Sequence, residues 1–350
     1  MSTTVETSNL NWTINLRVLA TISVIFVHVA CDILYKYGNV SSFVWWTGNV
    51  YDGLVRFCVP IFLMLTGALM LNKKYELNDF LKKKFSRIIL PFLFWSFFYV
   101  LVALGNEFFV RSEMPLLESG KLAFDLIRKG SSFHLWYIYM IIGIYLFIPI
   151  LNKWIQHASE KEIQYFIAVW FFVLFIDQPV FSEFRLFVDL TYFTGFLGYL
   201  VLGYYLSVKA FKYDVKRLKL ISVMLFLLGV SITIFGTYYL SEVENCFNEY
   251  FYGYLTLNVL IVSVGIFAFF KNLKISNPIL NQVINFINKY SYGIYLVHIL
   301  VLRFLVYLGI DYDFINPVLA IPLTTFLCLF ISALVIYGVN KLPYGTYISG

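Results

Sequence analysis

Long apolar runs limit what this chain can fold into. Ten of them, mostly about 16–22 residues long, occupy positions 16–35, 51–71, 88–104, 135–151, 163–176, 189–208, 220–240, 254–270, 291–308 and 318–339. A helix needs roughly 20 apolar residues to cross a bilayer. The expectation is therefore an all-α, polytopic membrane protein with ten transmembrane helices. Only 13% of the 350 residues are charged, against about 25% in soluble domains. The mean hydropathy of +0.78 agrees.

The loops predict an orientation. Segment 72–87 carries Lys73, Lys74, Lys82, Lys83, Lys84 and Arg87, and segment 209–219 carries Lys209, Lys212, Lys216, Arg217 and Lys219. Segment 271–290 adds Lys271, Lys274 and Lys289. The alternate loops are acidic: 241–253 holds Glu242, Glu244 and Glu249 without Lys or Arg, and 309–317 holds Asp311 and Asp313. Basic loops stay in the cytoplasm, so both termini are expected there. The polar first 15 residues lack the features of a signal peptide. Between 105 and 134, Leu122-Ala123-Phe124-Asp125-Leu126-Ile127 predicts an amphipathic surface helix. One membrane domain over 1–350 is expected, with no appended soluble domain.

Several polar groups interrupt the apolar runs, and intramembrane ionisable groups are functional candidates. Arg17 and His28 are eleven positions apart, so a helix puts them within about 20° of one face and about 16 Å apart along its axis. Asp32 lies one turn beyond His28 and has two readings: it orients the imidazole, or it is solvated at the outer interface. Asp52 and Arg56 are one turn apart near the start of the second run, and an Arg there needs a partner or a ligand. Further along, Pro60 frees a backbone carbonyl and Thr66-Gly67 permits a close helix approach. Lys84 and Arg87 end a basic run that reads as a topology signal with anionic-lipid contact, or as a site for an anionic cytosolic substrate. His134 and Trp136 open the fourth run, as an aromatic-belt anchor. Ser291, Tyr295 and His298 form a polar stripe at i, i+4 and i+7, followed by Arg303. Cys31, Cys58, Cys246 and Cys328 make no metal or disulfide pattern. No metal is expected, and the net charge of +6 needs no nucleic acid to explain it.

Taken in order, these pieces resemble the membrane acyltransferase-3 family. They are Arg17-x10-His28, the stretch Val59-Pro60-Ile61-Phe62-Leu63-Met64-Leu65-Thr66-Gly67, the basic run ending Arg87-Ile88-Ile89-Leu90-Pro91, His134-Leu135-Trp136-Tyr137, and Ser291-Tyr292-Gly293-Ile294-Tyr295-Leu296-Val297-His298. The spacing looks closest to the branch containing the enterobacterial common antigen O-acetyltransferase. The resemblance implies a ten-helix enzyme of the bacterial inner membrane. It would move an acetyl group from acetyl-CoA to a hydroxyl of a cell-surface or lipid-linked glycan. His28 would be the catalytic base and Arg17 its basic partner, with Asp32 beside them. Two departures stand out. The family's Arg-x-x-Arg reads Lys84-Phe85-Ser86-Arg87, which keeps the charge but loses bidentate phosphate recognition at position 84. The usual Ser-Gly-Tyr reads Thr66-Gly67-Ala68.

On this reading Arg17, Lys84 and Arg87 hold the phosphates of acyl-CoA, and Ser291, Tyr295 and His298 flank the donor channel. Asp52, Arg56, His134, Trp136 and Arg303 line the acceptor side, Arg56 and Arg303 both in its outer half. The partners expected are acyl-CoA, a glycan or glycolipid, and membrane lipid. A glycolipid or solute transporter, or a non-catalytic sensor of the same fold, would use similar intramembrane charges.

Overall fold

The protein was analysed as a computed structural model, which describes residues 11–71, 73–111, 115–178 and 195–350. Among these residues the structure is all helical. Twelve α-helices follow in order: α1 Asn11–Leu34, α2 Ser42–Val55, α3 Cys58–Met70, α4 Leu77–Arg111, α5 Leu116–Lys129, α6 Trp136–His157, α7 Glu160–Ile176, α8 Leu197–Val208, α9 Val215–Glu244, α10 Leu257–Lys271, α11 Pro278–Tyr307 and α12 Pro317–Lys341. Short 3₁₀ turns cover Phe133–Leu135, Tyr250–Tyr252 and Gly345–Tyr347.

Eight segments among the described residues are long and apolar enough to cross a membrane, where the sequence predicts ten. The difference lies at the fifth and sixth runs. Helix α7 has 17 residues and opens with Glu160, Lys161 and Glu162. Helix α8 has 12 residues, and positions 189–194 of the sixth run lie outside the described residues. Two other boundaries move. Helix α4 covers 35 residues rather than 17, and α11 begins at Pro278 rather than 291. The amphipathic helix expected between 105 and 134 is α5, with Leu117, Phe124 and Ile127 exposed beside its charges.

The chain divides into two compact units. The first comprises residues 1–73, 150–289 and 309–326, and the second 74–149, 290–308 and 327–350. In the first unit α1 packs on α2, α3 and α10, α3 on α8, and α9 on α10. Helices α3 and α8 meet backbone to backbone. A Cβ at Gly67 would strike the Leu200 carbonyl, and one at Gly203 would strike the Met64 backbone. Small residues allow such contact where lipid offers no hydrophobic drive for association. In the second unit α4 packs on α5 and on the 345–347 turn, where the Trp95 indole donates to the Ile348 carbonyl at 2.9 Å.

Proline chemistry sets the break between α2 and α3. Pro60 has no N–H for the carbonyl four residues earlier, that of Arg56, and its ring crowds that position. Helix α2 accordingly stops at Val55, and α3 restarts at Cys58 with Ile61 N donating to Phe57 O at 3.0 Å. The expected second span begins at 51; the observed segment runs from Ser42 to Met70. Arg56 is 14 residues from either end of it, where the sequence reading starts the span five residues before Arg56.

Candidate functional site

Helix α1 carries the Arg17 and His28 pair without interruption. Their eleven-residue separation gives one shared face and about 16 Å of axial distance. Arg17 is half-buried, and its Nη1 donates to Asn288 Oδ1 of α11 at 3.1 Å. One turn on, Thr21 Oγ1 donates to the Arg17 carbonyl at 3.0 Å, a bond that keeps the threonine hydroxyl satisfied inside the helix. His28 is also half-buried, and the Cys31 thiol lies 3.7 Å from its carbonyl oxygen. Asp32 is exposed, with the Cys31 sulfur 3.8 Å from its carboxylate.

The helix break holds a second polar group in the first unit. Arg56 Nη2 donates to Asp52 Oδ2 at 2.6 Å, and Nε stands 2.6 Å from Oδ1 as an ion pair. Asp52 is fully buried. The guanidinium carbon lies 4.2 Å from the Tyr252 ring centroid and 6.0 Å from that of Tyr254. Tyr252 OH donates to Asn49 Oδ1 at 2.5 Å, and Asn49 Nδ2 to the Ile234 carbonyl at 3.1 Å. Tyr199 OH fixes the Tyr254 carbonyl at 2.7 Å. A buried charge demands this much compensation: opposite charge, π-face and hydrogen-bonded neighbours together. The pair is thereby occupied within the protein itself.

The second unit holds a cluster of imidazoles, phenols and a serine. His134 is 1% exposed, in the 3₁₀ turn that leads into α6. Its Nδ1 is 3.0 Å from Ser132 Oγ and its Nε2 is 3.5 Å from Tyr99 OH. Tyr99 OH donates to the Leu296 carbonyl at 3.0 Å. Tyr295 OH donates to the His134 carbonyl. The His134 ring meets His298 edge-on at 5.1 Å between centroids, and His298 Nδ1 is 2.6 Å from the Tyr295 carbonyl. Cys328 Sγ closes the group, 3.3 Å from the His298 carbonyl.

The remaining candidates are placed as follows. Lys84 is half-buried and Arg87 exposed, in the early turns of α4. Tyr292 OH donates to the Ile88 carbonyl at 2.8 Å, which sets Ser291 and Arg87, their sequence neighbours, at one level. Tyr295 and His298, which the sequence assigns to the donor channel, sit with His134, which it assigns to the acceptor side. Trp136 and Arg303 are exposed. Helix α11 starts earlier than expected, so Ser291 to His298 occupy its middle and Arg303 lies 25 residues in. Sequence reasoning missed Tyr99, Ser132, Tyr252 and Tyr254. In a chain with 27 tyrosines, nothing local marked these three out, and Ser132 read as loop. Among the described residues no group of three or more His, Cys, Asp or Glu could hold a metal ion.

A family model described as an acyltransferase domain, of the acyltransferase-3 family, matches residues 10–337. No match was found among curated proteins or solved structures.

Proposed function

Because the chain belongs to the acyltransferase-3 family and is a membrane acyltransferase, we propose that it transfers an acetyl group from acetyl-CoA to a hydroxyl of a cell-surface or lipid-linked glycan. The family match across residues 10–337 carries this reading. The uninterrupted α1, with Arg17 anchored to Asn288 and His28 on the same face, supports it. We place the protein in the bacterial inner membrane, crossing ten times with both termini cytoplasmic, on the charge of its loops. The branch of the enterobacterial common antigen O-acetyltransferase supplies the acceptor class.

Acyl-CoA, when bound, brings an activated thioester carbonyl. His28, as a neutral imidazole, takes the proton of the acceptor hydroxyl as it attacks that carbonyl, a step such bases accelerate about 10²–10⁴-fold. Arg17, about 16 Å from His28 along α1, contributes a fixed cation to anionic groups of the donor. Lys84 and Arg87 suit the donor phosphates by charge, Arg87 with bidentate geometry and Lys84 as a point charge. The basic residues present therefore fit a phosphate-rich acyl donor.

The test is turnover by purified protein in lipid vesicles, supplied with isotopically labelled acetyl-CoA and a membrane glycan extract. Label in the glycan, found by mass spectrometry, is the expected result. A protein that leaves acetyl-CoA intact while moving the glycan across the vesicle membrane is a transporter, which contradicts the proposal.

A further inference from the structure

Four observations in the second unit concern one hydroxyl. Ser132 stands at the N-cap position of the 133–135 turn, yet its side chain makes no capping bond. Serine at that position ordinarily offers its oxygen to a backbone N–H of the turn. Here the Oγ lies instead 3.0 Å from His134 Nδ1.

The second observation favours one direction for that bond. Tyr99 has one phenolic proton, and it goes to the Leu296 carbonyl at 3.0 Å. Toward His134 Nε2, 3.5 Å away, the Tyr99 oxygen can then only accept. A neutral His134 with its proton on Nε2 presents a bare Nδ1, so the Ser132 hydroxyl is the donor in the Ser132–His134 bond. Third, the turn is held from a separate helix, because Tyr295 OH binds the His134 carbonyl. Fourth, the adjacent Ser131 hydroxyl is buried without a hydrogen-bond partner, which leaves a donor for an incoming oxygen. Nucleophile, base and a group orienting the base are the parts of an activated hydroxyl.

We propose that Ser132 accepts the acyl group from the donor before the glycan does, with His134 as its base and Tyr99 as the residue that sets the imidazole tautomer. This rests on the acyl-CoA-dependent transfer argued above. Ser132 Oγ bonds to the thioester carbonyl carbon and its proton passes to His134 Nδ1. The carbon–sulfur bond breaks, and the departing thiolate takes that proton. The resulting serine ester then replaces the thioester as acyl source. When an acceptor hydroxyl takes the acyl group, Oγ ends with the proton that hydroxyl gives up. No oxidant, metal or further reactant enters.

The experiment incubates the full-length protein in vesicles with labelled acetyl-CoA and no glycan, quenches in acid and digests with trypsin. The peptide Gly130–Lys153 contains no internal Lys or Arg and should carry one acetyl group on Ser132. Ser132→Cys should carry a thioester that neutral hydroxylamine releases, while the wild-type ester resists the same treatment. Ser132→Ala should lose the label and transfer to glycan roughly 10²–10⁴-fold more slowly. Tyr99→Phe should slow acylation with the donor KM unchanged. An unlabelled peptide from protein that acetylates glycan, or wild-type transfer by Ser132→Ala, overturns the serine relay and leaves the proposed function standing. Protein that is not labelled and, with glycan then supplied, still leaves acetyl-CoA intact overturns both.

Discussion

The two buried polar clusters solve the same problem in different ways. Around Arg56 the groups are charged, and each is matched at once: carboxylate to guanidinium at 2.6 Å, guanidinium to the Tyr252 face at 4.2 Å. Around His134 stand two imidazoles, two phenols and a serine, groups that can each donate and accept. A buried ion pair is costly to break and unsuited to changing its charge state. A neutral hydrogen-bonded chain tolerates proton movement because its members both donate and accept. The difference fits the proposed serine relay, with the first cluster holding structure and the second moving protons.

The comparison breaks most visibly through stability. Arg56→Ala leaves Asp52 buried without its partner, and removing one partner of such a pair costs about 3–5 kcal/mol. Replacing both, as Asp52→Leu with Arg56→Met, should recover most of that loss, because apolar replacement of a whole buried pair is often neutral. Thermal unfolding in detergent measures both. If Arg56→Ala is as stable as wild type but inactive, Arg56 serves a ligand and the contrast fails. The His134 cluster should respond more mildly. Tyr295→Phe removes the donor to the His134 carbonyl and should cost about 0.5–1.5 kcal/mol, with a larger proportional loss of transfer rate. A purely structural cluster would lose the two in step.

The smallest effect belongs to an exposed pair. Lys209 holds the Glu160 carboxyl below its ordinary value of 4.5 through a direct hydrogen bond. A carboxylate lowered on folding stabilises above its unfolded pKa and ceases to do so as pH falls through its folded value. Wild type and Glu160→Gln should therefore coincide in acid, separate as pH rises toward the ordinary value of 4.5 and keep a constant, small separation above it, because solvent screens such pairs. A separation as large as that of Arg56→Ala would mean that burial is not what distinguishes the pairs.

The sequence carried much of this. Apolar runs gave the helical class, and the eleven-residue spacing gave the Arg17 and His28 face, because a regular helix converts spacing into direction. Asp52 and Arg56 were legible as a pair for the same reason. The helix break was half legible: Pro60 stands out in the sequence, but the apolar run suggests a second span from 51 and not the start of α2 at Ser42. The Tyr99, Ser132 and His134 chain was illegible beyond His134. Its members come from separate elements, and only packing brings α4 and α11 to one turn. Helices α7 and α8 are shorter than the eight long apolar segments, with 17 and 12 residues among the described residues, and apolar composition reports burial as readily as membrane crossing.

The central claim is that this membrane acyltransferase uses His28 as its base. The direct measurement compares labelled acetyl transfer from acetyl-CoA to glycan by vesicle-reconstituted wild type and His28→Ala, with unfolding temperatures recorded for both. The account predicts matched unfolding temperatures and a rate lowered about 10²–10⁴-fold in the variant. Transfer at the wild-type rate by folded His28→Ala would contradict it.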